Sequence, residues 1–117
     1  MLEIPRHHLI YMAVTPVDMR KSFDGLSACV REALELNPLE GQLFVFRNKS
    51  GDKIKLLWWD RNGFVQYYKR LEKGRFKWPR VSGAKISLSA QDLELLLDGV
   101  DITRLRRLPA VQLRDIL

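Results

Sequence analysis

Three glycine-ended triplets, Lys49-Ser50-Gly51, Arg61-Asn62-Gly63 and Glu72-Lys73-Gly74, punctuate the middle of this chain. They separate runs rich in β-branched and aromatic residues at 42–48, 52–60, 64–71 and, more briefly, 75–78. A three-residue connection with glycine last marks a type I turn closed by a left-handed residue. The spacing predicts a four-stranded antiparallel meander, with "AKISLS" after Pro79 as a candidate fifth strand.

Helical signals flank the meander. After a short strand at 9–14, Thr15 reads as an N-cap, Pro16 as the first helical residue and Asp18 as the third residue of a capping box. Met19, Phe23, Leu26, Val30, Ala33 and Leu34 recur at three- and four-residue steps, and Asn37-Pro38 stops the helix. A second cap-like start at Ser89 leads through Leu97 to Gly99. The expected fold class is α+β: a four- to five-stranded antiparallel meander packed on one amphipathic helix, with a second, C-terminal helix. Residues 1–100 read as one domain, and 101–117 as a basic, leucine-spaced tail that orders on a partner.

Turn length fixes register. Three-residue turns set Phe46 opposite Ile54, Phe44 opposite Leu56, Leu56 opposite Tyr68 and Tyr68 opposite Trp78. One face then collects Phe44, Phe46, Ile54, Leu56, Trp58, Tyr68, Phe76 and Trp78 under the first helix, with Arg70 breaking the pattern at the sheet end. The other collects Arg47, Lys53, Lys55, Lys69, Arg75 and Lys77 around Val45, Leu57, Trp59 and Tyr67.

Charge gives that second face a meaning. The chain carries a net +6, with a pI near 9.8. From Arg47 to Lys85 there are 12 Lys/Arg against three acids, so the basicity belongs to one segment. Cations that neutralise phosphate, with Trp59 and Tyr67 to stack on bases, point to nucleic acid. The derived register also opposes Arg47 to Lys53, Lys55 to Lys69, and Lys69 to Lys77, like charges that an anion would relieve. On that reading, Lys69→Gln leaves the free protein at least as stable. The competing reading is a solvated sheet face, with Trp59 and Tyr67 beneath the C-terminal helix as a second small core. The candidate nucleic-acid-binding residues are Arg47, Lys53, Lys55, Trp59, Tyr67, Lys69, Arg75 and Lys77.

Little points to catalysis. Adjacent His7 and His8 project apart on an extended chain, and neither GxGxxG nor GxxxxGK[ST] occurs. Asp18 and Asp60 have capping and turn roles, Asp24 is simply helical, and Cys29, the only cysteine, reads as packing. No enzyme activity, cofactor or metal is expected. The single cysteine and the absence of a signal peptide or membrane-length apolar run imply a cytoplasmic protein.

The stretches "PVDMRKSFDGL", "GQLFVFRNKSGDKIKLLWWDRNGF" and "YKRLEKGRFKWP" closely resemble the TnpB-type accessory proteins of bacterial insertion sequences, in the group numbered sixty-six. That family is distinct from the RNA-guided nucleases also called TnpB. The resemblance implies an accessory protein encoded beside a larger transposase and needed for transposition, and it supplies no catalytic residue. The implied partners are DNA and the transposase of the same element. The chain either grips DNA through the basic face or docks on the transposase as an adaptor, through the "MRKSFDGL" helix or the tail.

Overall fold

A computed structural model describes residues 9–103. His7, His8 and all of the tail beyond Thr103 lie outside the described residues, and with them the expectation of partner-induced order. The elements run β1 (Ile10–Ala13), α1 (Phe23–Glu32), β2 (Leu43–Arg47), β3 (Lys53–Asp60), β4 (Gly63–Arg70), β5 (Lys85–Leu88) and α2 (Ala90–Leu97). They form one five-stranded sheet in the order β4-β3-β2-β1-β5. The α+β class, the covering helix and the C-terminal helix are as the sequence predicts. The sheet is mixed, because β1 and β2 are joined by the α1 crossover and run parallel, while every other pairing is antiparallel.

Register departs from expectation by one residue in both hairpins. Phe46 pairs with Lys55 and Phe44 with Leu57, while Leu56 pairs with Tyr67. The β3–β4 turn holds only Arg61 and Asn62, with Arg61 at φ 52°, so Gly63 is strand rather than turn. The β2–β3 loop is longer than three residues because Asp52 is drawn into it. Its carboxylate accepts from Asn48 Nδ2 (2.7 Å) and Ser50 Oγ (3.0 Å), while Asn48 Oδ1 accepts from Gly51 N and Lys53 N. Gly51 takes φ 81° there, a conformation that disfavours a side chain. Each one-residue change turns a strand over.

The consequence is a sheet buried on both faces. On one face, Leu26 and Val30 of α1 and Leu34 just beyond it cluster with Ala13, Phe44, Phe46 and Leu57. On the other, Leu93, Leu96 and Leu97 of α2 cluster with Ile10, Met12, Leu43, Val45, Ile54, Leu56, Trp58 and Leu88, with Ile102 joining them. The expected single oily face is thus split, with Phe44, Phe46 and Tyr68 on one side and Ile54, Leu56 and Trp58 on the other.

Residues 75–78 are not a strand. They belong to a strap, residues 71–84, that runs from the β4 edge to the β5 edge past the sheet end. Leu71 N donates to Asp52 O, Phe76 N to Gly51 O, Trp78 Nε1 to Ala13 O, and Val14 N bonds Ala84 O. Phe76 is buried against the α2-side core, and the alternate residues Arg75 and Lys77 face solvent.

The first helix begins at Phe23, not near Thr15. The carbonyls of Met19 and Lys21 accept hydrogen bonds from Lys55 Nζ, both at 2.8 Å, which takes them out of any helical ladder. Asp18 does not cap α1. It accepts from Arg20 N (2.9 Å) and closes an ion pair with the Arg20 guanidinium (2.6 Å). Residues 14–22 are therefore a clamped loop. Gly25 lets it pack on α1, since a Cβ there would lie 3.0 Å from Lys21 Cβ.

Cations serve carbonyls elsewhere too. Lys69 Nζ bonds Leu97 O (2.7 Å) and so completes α2, whose last turn carries no basic residue of its own. Lys85 Nζ bonds Leu34 O (2.9 Å) just beyond α1. The anticipated like-charge pairs do not form, because Arg47 faces Ile54, Lys55 faces Tyr68 and Ile54 faces Lys69. The α2 helix matches its sequence signal, with the Ser89 hydroxyl accepting from Asp92 N and Gly99 at φ 82°.

The expectation for Lys69→Gln reverses: loss of the α2 carbonyl cap should destabilise the protein by about 1–2 kcal/mol, read as a lower melting temperature. The Arg20 hydrogen bonds hold Asp18 at a pKa of about 2, below its ordinary 3.8. A depressed carboxylate adds stability above its unfolded value and loses it as pH falls through about 2. The carboxyl carbon of Asp18 should titrate with that low midpoint by NMR, and Arg20→Ala should return it toward 3.8.

Candidate nucleic-acid interface

The clamped 14–22 loop and the Asn48–Asp52 turn stand on either side of an open groove of about 820 Å³. Met19 and Arg20 line one wall, Lys49 and Ser50 the other, and Lys53 and Tyr68 complete the lining from β3 and β4. Tyr68 is 50% exposed, the most open of the large apolar side chains of the sheet. A second depression of about 300 Å³ shares Lys53 and Tyr68 and adds Arg70 and Glu72, which extends the surface along the sheet end.

The groove is built by the same contacts that shape the loop. Lys55 lies beneath the loop at 4% exposure, its ammonium 4.6 Å from the Tyr68 ring, and burial pulls its pKa down. Arg47 braces the loop from behind. Its guanidinium donates to Val14 O (3.2 Å), its carbonyl accepts from Val17 N (2.8 Å), and it sits 5.5 Å from the Trp78 ring. Burial lowers its pKa as well, and Arg47 Nε is buried without a partner among the described residues.

The acids at this end of the sheet are all engaged. Asp18 holds Arg20, Glu72 holds Arg70, and Asp52 is kept ionised by Asn48 and Ser50, which lower its pKa. Lys49 and Lys53 are then the cations of the groove that form no ion pair among the described residues, with the Asp52 carboxylate near enough to Lys53 to be stabilised by its charge. Arg75, Lys77 and Arg80 lie exposed on the strap that passes this end of the sheet. The arrangement is suited to a polyanion with a planar group that can lie on a tyrosine ring.

The eight residues singled out from sequence do not share a face. Lys53 lines the groove, and Lys55 lies under its loop wall. Arg47 is wedged behind the loop, and Lys69 is committed to α2. Tyr67 is partly buried against the α2-side core, as the second-core reading anticipates for it. Trp59 instead meets Phe64 edge-on at 5.1 Å, next to the β3–β4 turn and away from the groove. Arg75 and Lys77 project from the strap. Arg20, Lys49 and Tyr68 were missed, Tyr68 because the derived register placed it in the core. Among the described residues, no group of three or more His, Cys, Asp or Glu is arranged to hold a metal ion, and no helix is long and apolar enough to cross a membrane.

A family model described as IS66 Orf2 like protein matches residues 8–107. The uncharacterized protein y4hO of Sinorhizobium fredii is 45% identical over 92 residues, which cover 79% of this chain and 80% of that protein. The uncharacterized protein y4jC of the same organism is 39% identical over 100 residues, 86% of each chain. No solved structure matches. With a family match that spans nearly all of the described fold, this chain belongs to the IS66 Orf2-like family.

Proposed function

We propose that this protein is a non-catalytic accessory factor for transposition of an insertion sequence and that it binds DNA through the groove at the sheet end. Family membership supports the transposition role. The observation that carries DNA binding is the half-exposed Tyr68 ring beside Lys53 in an open groove, facing a loop that bears Lys49. Lys49 and Lys53 neutralise phosphates, Arg20 adds a guanidinium at the rim, and Tyr68 provides a stacking platform. Arg75 and Lys77 extend the basic surface along the strap.

A second reading, an adaptor for the transposase, is favoured by a smaller and more apolar cavity behind the loop. It measures about 300 Å³ and is lined in part by Val17, Cys29, Ala33 and Phe46. A partner side chain seated there would bind with little salt dependence, unlike DNA.

The two are separated by DNA-binding measurements on the purified protein across a salt series. Three phosphate contacts predict a log–log slope of about −3, and Lys49→Gln with Lys53→Gln should shallow it by about 2. Tyr68→Ala should weaken single-stranded DNA binding about tenfold, within the 1–3 kcal/mol scale of base–aromatic stacking. Melting temperatures of the Lys49 and Lys53 variants should stay near wild type, since no hydrogen bond from either ammonium supports the fold among the described residues. Affinity and slope that ignore all three substitutions would overturn the assignment. Salt-resistant binding to the transposase without DNA affinity would favour the adaptor.

A further inference from the structure

The two edges of the sheet are protected very differently. β5 is only four residues long, and short length is a common device against edge pairing. β4 is eight residues long, contains no proline, and pairs with β3 without a bulge over its whole length. Its two cations, Lys69 and Arg70, sit together at one end, and Lys69 is already turned to Leu97. Among the described residues, no backbone group hydrogen-bonds to the outer edge of β4.

Leu71 N bonds Asp52 O in line with the β3–β4 register, so the odd-numbered residues of β4 turn their backbone groups toward β3. Phe64, Gln66, Tyr68 and Arg70 turn theirs outward. The side chains of the same even-numbered residues lie on the α1 face, and those of Val65 and Tyr67 on the α2 face.

We infer that β4 pairs antiparallel with β4 of a second copy of this chain, about a two-fold axis through Gln66. An axis perpendicular to the sheet keeps α1 faces together, so the register must place even-numbered residues opposite even-numbered ones. Centred on Gln66, it sets Phe64 against Tyr68 of the second copy, Val65 against Tyr67, Gly63 against Lys69, and Asn62 against Arg70. On either side of the Gln66–Gln66 pair at the axis, every one of these pairs is apolar with aromatic, or cation with neutral. Centring on Tyr67 instead would set Val65 against Lys69 and Phe64 against Arg70, a poorer match. A second feature lies at the proposed axis. The Ser22 hydroxyl lies 3.4 Å from Gln66 Oε1, which brings the start of α1 over the middle of β4, and the next residue, Phe23, is 43% exposed. The dimer is one ten-stranded sheet with both grooves on the same face, and Phe64 of the second copy stands beside the groove residue Tyr68. The inference does not depend on what the groove binds.

The test uses the full chain in sedimentation equilibrium from low to high micromolar concentration. Wild type should reach twice the monomer mass. Gln66→Lys and Gln66→Glu, each facing its own charge across the axis, should remain monomeric, and an equimolar mixture of the two should recover the dimer. Hydrogen exchange on wild type gives a reading independent of any variant: the amides of Phe64, Gln66 and Tyr68 should gain protection with concentration, while those of Val65 and Tyr67 stay unchanged. A wild type that is monomeric throughout would overturn the inference. So would a dimer that is indifferent to both Gln66 charges or that leaves the three outward amides unprotected.

Discussion

The ammonium group of Lys55 decides what this fold can present to a partner. It lies on a central strand at 4% exposure, yet among the described residues it forms no ion pair with a carboxylate. A buried charge left unsatisfied would be very costly, so the position requires acceptors. It finds them in the peptide carbonyls of Met19 and Lys21. Those bonds end any helical path through residues 14–22 and fix a loop over the sheet, and that loop is one wall of the groove. Arg47, Lys69 and Lys85 repeat the device at Val14, Leu97 and Leu34. Basicity in this chain is partly a means of tying irregular segments to regular ones.

Much of the fold was legible in the sequence, and the misreading has a narrow physical origin. Glycine triplets, the Ser89 cap and the apolar spacing of α1 locate β2, β3, β4, α1 and α2. Register was lost because Gly63 behaves as strand and Asp52 as loop, and the second of these depends on a side-chain network around Asn48. Two signals favoured the true arrangement. Leu43-Phe44-Val45-Phe46 and Leu56-Leu57-Trp58-Trp59 are continuous apolar runs, as strands covered on both faces require, rather than alternating ones. Arg70, two residues after Tyr68, was the anomaly that marked their shared face as open at that end.

The candidate site was less legible because residue type does not reveal what a cation is bonded to. Lys53 and Lys55 are two residues apart on the same face of β3, yet one lines an open groove and the other is buried under a loop. The difference arises from the 14–22 loop, which reaches one and not the other. Similarly, Tyr67 and Tyr68 are neighbours in sequence and lie on opposite faces. One is partly buried against the α2-side core, and the other is half exposed. The family match fixes the context of these residues without assigning any of them a task.

The strap that carries the chain from β4 to the far edge also sets an order of assembly. Ile10 cannot meet Leu88, nor can the α2-side core close, until the whole of residues 71–84 has crossed the end of the sheet. The β2–β3–β4 meander is made of local contacts and can form early, whereas β5 and α2 add the distant ones. During synthesis, Leu56 and Trp58 therefore lack their α2 cover until residues 90–97 have emerged. A sheet without α2 would leave one apolar face uncovered, and α2 is the element that covers it.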